Sequence, residues 1–108
     1  MQTVYEVYGF KIYFWSNENN EPVHFHVSKG SITSNSTKFW ILSNGYIEME
    51  HNKGRYKKSE LVRLVNAVYG LGIQYKVIEL WKVRFGVFIL KSKTWFVPLV
   101  QLVRTLGS

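Results

Sequence analysis

The sequence predicts one α+β domain: an antiparallel β-meander of about five strands followed by two helices, with a C-terminal hairpin and short helix to close. Three observations carry this expectation. Short runs of β-branched and aromatic residues, several strictly alternating, fill the chain as far as Glu50. An Asn-Gly pair, Asn44-Gly45, separates two of them, the strongest short-range hairpin signal. Beyond Ser59 the apolar residues change to a helical spacing, Leu61, Leu64, Val65 and Val68 falling at i, i+3, i+4 and i+7.

The elements follow in order. Val4 to Tyr8 and Phe10 to Trp15, split by Gly9, read as a hairpin or a bent ribbon. Ser16 to Pro22 is turn chemistry, dense in Asn and Glu. From Val23 to Val27 the pattern alternates, with Val23, Phe25 and Val27 on one face and His24 and His26 on the other. Thr37 to Leu42 and Tyr46 to Glu50 flank the Asn-Gly turn. After the first helical stripe Gly70 and Gly72 interrupt, and a second stripe runs Ile73, Val77, Leu80 or Trp81, and Phe85, with Gly86 placed to end it. Val87 to Leu90 and Thr94 to Val97 suit a last hairpin with Pro98 opening a short helix through Arg104, and the same stretch equally suits irregular packing. No repeat or linker divides residues 1–108, so a single domain is expected.

Composition bounds the chemistry. With 46% apolar and 17% aromatic residues the chain can bury one core without staples, and without cysteine it can form neither a disulfide nor a thiolate metal site. The opening residues show no signal peptide and no run approaches the ~20 apolar residues of a membrane span, so a cytoplasmic protein with no membrane role is expected. Charge is uneven. Residues 1–52 carry three basic and five acidic groups, net −2, whereas residues 53–108 carry eleven and two, net +9. That asymmetry points to a phosphate-rich or acidic partner.

Two groups of residues could carry chemistry. His24 and His26, at i and i+2 of one strand, project side by side, which suits general acid–base work near neutral pH. The same pattern suits a metal if Glu48, Glu50 or His51 supplies a third ligand, and it also suits two histidines on a wet sheet face. Lys53, Arg55, Lys57 and Lys58 cluster before the first helix, where cations and helix amides can grip phosphate, and Tyr56 among them could stack on a base. There is no glycine-rich phosphate loop, zinc-type Cys/His set or nucleophile elbow, and no Asp for a Ser-His-Asp triad.

Gly9-Phe10-Lys11-Ile12-Tyr13-Phe14-Trp15-Ser16-Asn17, Asn20-Glu21-Pro22-Val23-His24-Phe25-His26-Val27 and Lys38-Phe39-Trp40-Ile41 together resemble the domain-of-unknown-function family 4160, and Glu79-Leu80-Trp81 fits its second helix. The likeness spans residues 3–86 and leaves 87–108 as an extension; Val23 stands where the family places a second proline. The resemblance implies a bacterial cytosolic protein of toxin–antitoxin type, with a small antitoxin-like partner. The expectation is therefore a toxin-like module acting on or binding RNA, without metal or cofactor. His24 and His26 would be acid and base, and Lys38, Lys53, Arg55, Tyr56, Lys57 and Lys58 would bind the nucleic acid. The alternatives are a non-catalytic module binding nucleic acid or a partner protein, and a His/carboxylate metal site.

Overall fold

The computed structural model describes residues 1–92 except 19 and 33. Five strands, β1 (Gln2–Val7), β2 (Phe10–Phe14), β3 (His24–Lys29), β4 (Thr37–Ile41) and β5 (Ile47–Asn52), precede helices α1 (Lys58–Leu71) and α2 (Ile73–Phe85). The strands form one sheet in the order β1-β2-β3-β4-β5, every neighbour antiparallel. The expected meander and helix pair are both present. Val87 to Leu90, expected as the first strand of a last hairpin, carry no regular structure, Lys91 alone bridging to Leu42. The predicted strand from Thr94 and helix from Pro98 lie outside the described residues.

Alternation decides which side chains meet the helices. Phe10, Ile12 and Phe14 of β2, Phe25 and Val27 of β3, and Phe39 and Ile41 of β4 join Leu61, Leu64, Val65, Val68, Ile73, Val77 and Trp81 of the helices in one apolar cluster. Residues one step out of phase form a polar row on the other face: Tyr13 pairs with His26, His26 with Lys38, and Lys38 with His51. The same two-residue period thus builds the core and sets the histidine beside the lysine.

The turns refine the sequence reading. Tyr8 (φ 52°) and Gly9 (φ 80°) both take positive φ between the paired residues Val7 and Phe10, so the two-residue left-handed turn lies here. At Asn44-Gly45 the hairpin forms, but Gly45 (φ 87°) is the loop residue with positive φ. Gly45 N–H donates to Leu42 O at 3.0 Å and Leu42 N–H to Tyr46 O at 2.8 Å, closing a three-residue loop with a glycine bulge. Gly72 (φ 65°) ends α1 and starts α2 in one left-handed residue.

Residues 89–91 are tied to the sheet. Val23 N–H donates to Ile89 O at 2.8 Å, Lys91 N–H to Ile41 O at 3.2 Å, and Ser43 N–H to Lys91 O at 3.0 Å. The start of the extension therefore lies against the ends of β3 and β4.

Candidate functional site

Both strand histidines are covered: His24 is 0% and His26 8% exposed. They do not sit on a wet sheet face. His24 meets Trp40 at 5.4 Å and Trp81 at 5.2 Å between ring centroids, and His26 stacks on Tyr13 at 5.5 Å. The turn after β2 supplies the rest of the cover.

That turn brings in the residue missed in the sequence. Glu18 Oε1 accepts the Trp15 N–H at 2.7 Å, folding the carboxylate back over the end of β2, and Glu21 N–H donates to Glu18 O at 3.2 Å. From there the carboxylate reaches both histidines, its Oε2 lying 2.9 Å from each Nε2. Burial acts to raise the Glu18 carboxyl, but the two imidazoles and the Trp15 amide outweigh it and hold the group well below the usual carboxylate range. Glu18 is accordingly an anion facing two rings.

Hydrogen bonds fix one tautomer. His24 Nδ1 lies 2.8 Å from the Pro22 carbonyl, which can only accept, so Nδ1 carries a proton. A neutral His24 then has a bare Nε2 turned toward Glu18. That nitrogen is buried and, despite its 2.9 Å contact, has no hydrogen-bond partner among the described residues, because the carboxylate is off the line a bond requires. His26 Nε2 is bonded to Glu18, and its Nδ1 lies 3.2 Å from Ser36 Oγ. Glu18, His24 and His26 together present ligand atoms within 4.8 Å of one another.

The carboxylates named from the sequence are engaged elsewhere. Glu48 accepts Lys91 Nζ at 3.1 Å, and Glu50 accepts the Trp40 indole N–H. His51 lies on the row two strands away, paired with Lys38. Burial, then the charges of Lys53 and Lys38, hold the His51 imidazole below its ordinary value.

A cleft of about 500 Å³ opens over this row, with Trp15, Glu18, His26, Lys38, His51 and Lys53 among its lining residues. Lys38 is ion-paired with Glu21 at 2.8 Å and lies over the Trp40 ring. Lys53 makes no ion pair among the described residues and brings an uncommitted charge to the rim. Of the basic residues named from the sequence, Lys38 and Lys53 therefore meet at the cleft, while Arg55 lines a neighbouring hollow with Lys53. Lys57 and Lys58 stand exposed at the start of α1, outside the lining of this cleft. Tyr56 has structural work: its hydroxyl accepts the Lys29 N–H at 2.8 Å and its ring meets Phe10 edge-on. His24 does not line the cleft; His26 does.

The family described as "Domain of unknown function (DUF4160)" matches residues 9–69, a span that holds Glu18, His24, His26, Lys38 and Lys53. No curated protein and no solved structure matches the chain.

Proposed function

The chain belongs to the DUF4160 family, and from that premise we propose that it is a toxin-like basic module that acts on RNA in the cleft over His26. The observation that carries the reading is the row of His26, Lys38 and His51 across β3, β4 and β5, with Lys53 at its rim and ionised Glu18 behind it. A phosphodiester laid along this row meets cations first and the Glu18–His26 pair beneath them. In this reading His26 is the histidine that meets the substrate, and the sealed His24 acts through Glu18. The toxin-like role, a bacterial cytoplasm and a small antitoxin-like partner rest on the family resemblance.

The test is incubation of diverse RNAs with the full chain, with and without divalent metal. Expected are cleavage by the wild type, weaker cleavage by Lys53→Ala, and none by His26→Gln. Intact RNA under every condition removes the enzyme.

A second reading draws on His26 having both ring nitrogens engaged, by Glu18 and Ser36. It makes the protein a non-catalytic nucleic-acid- or partner-binding module. RNA binding that falls steeply with salt and survives His26→Gln, without cleavage, would select it.

A further inference from the structure

We propose that Glu18, His24 and His26 form a binding site for one divalent first-row transition-metal ion, held through a carboxylate oxygen and the two Nε2 atoms. His24 Nε2 is buried and left without a hydrogen bond. With Nδ1 held by Pro22 O, His24 in its neutral form turns the Nε2 lone pair toward a carboxylate oxygen 2.9 Å away, and the contact is out of line for a hydrogen bond. A proton shared between the two atoms would draw them into line. A metal ion between them would use both lone pairs.

The spacing suits that point being a metal ion. Ligand atoms about 2.1 Å from an ion and at right angles to one another are about 3.0 Å apart, against roughly 3.4 Å for tetrahedral angles. Both Nε2 atoms lie 2.9 Å from Glu18 Oε2. The third separation, between the two imidazole nitrogens, falls within the 4.8 Å span of the group, and two histidines and one carboxylate would leave the remaining positions of an ion for water or substrate.

The outer contacts agree. A ligating histidine commonly donates its other N–H to a carbonyl or hydroxyl, which fixes the ring and the tautomer. His24 Nδ1 has Pro22 O at 2.8 Å, and His26 Nδ1 has Ser36 Oγ at 3.2 Å. His26 ligates through Nε2 when its proton is on Nδ1, toward Ser36. The aromatic rings of Tyr13, Trp40 and Trp81 pack against the two imidazoles and limit their rotation. Imidazole and carboxylate donors favour manganese, iron, cobalt, nickel or zinc over magnesium or calcium. The site rests on the RNA reading only for its place beneath the cleft.

The experiment titrates the untagged, chelator-treated full chain with Co²⁺, followed by visible absorption, and with Zn²⁺, followed by calorimetry. Expected is one equivalent bound, with Glu18→Gln and His26→Gln each weakening it more than ~10-fold while circular dichroism shows both folded. Folded wild type that binds neither ion overturns the site, as does binding that both variants keep. His24→Ala is not relied on, because that residue is fully buried. Metal binding without RNA cleavage would leave this site standing and remove the substrate reading; RNA cleavage without metal binding would do the reverse.

Discussion

Trp81 of α2 packs edge-on against His24 of β3, 5.2 Å between ring centroids, so a residue from the second of the described helices forms the back wall of a site whose polar members all precede residue 55. Trp81 also meets Phe14 at 5.0 Å and Phe85 at 4.9 Å and is 1% exposed. It is thus both a core residue and the surface that keeps one imidazole dry.

Trp81→Ala is expected to cost about 3–5 kcal/mol, the range for emptying an aromatic site in a core. Trp81→Phe keeps an edge for His24 and empties a smaller volume, so it is expected to cost about 1–2 kcal/mol. Urea unfolding of the two variants measures the difference. Equal losses would mean that the indole is not a wall but only one apolar group among many.

His51 reports the field over the cleft. Its imidazole is held below the free value of about 6.5 by partial burial, then by Lys53 and Lys38. NMR titration of Lys53→Ala should show the His51 pKa moving up toward the free value, because one repelling charge is gone. Inorganic phosphate in the cleft should move it the same way. A histidine with a depressed folded pKa favours the fold above its unfolded pKa, so this contribution is lost as pH falls through the folded value. A His51 that titrates identically with and without Lys53 would detach it from the rim.

Two glycines should respond oppositely to alanine. At Gly45 the backbone has φ 87°, and an added Cβ would meet Tyr75 Oη at 2.9 Å. Because the tyrosine hydroxyl can swing away, most of the cost is conformational, and Gly45→Ala should lose about 1 kcal/mol. Gly70 lies inside α1 with nothing within 4 Å of a new Cβ, so Gly70→Ala should gain about 0.5–1 kcal/mol. In thermal melts, a gain at Gly45 would contradict the loop geometry there, and a loss at Gly70 would contradict the open space around that helix position.

The fold was legible because its signals are local. Alternation at Val23 to Val27, the Asn-Gly turn and the stripe from Leu61 to Val68 each act within a few residues, and the tertiary structure agrees with all of them. Half of the site was legible on the same terms, since His24 and His26 share a strand. Glu18 was not, because it stands among turn residues and nothing in its spacing shows the backbone folding to capture Trp15 N–H. Glu48 and Glu50 looked nearer by strand register, yet Lys91 and Trp40 take them. Tyr56 looked like a stacking platform in a basic loop, but its hydroxyl is held by the Lys29 amide, a contact 27 residues distant in sequence.

The tie between Val23 and Ile89 has a consequence for where this molecule can be divided. The family match stops at residue 69, yet Trp81 backs His24, and Ile89 holds the amide of the residue just before it. What the family shares and what must fold together are therefore different lengths of chain. A fragment cut at the family boundary would keep every polar group of the site and lose the partners that hold His24 and Val23 in place. Grafting or dissecting the site must carry the chain at least through Lys91, whose amide and carbonyl close the seam with β4.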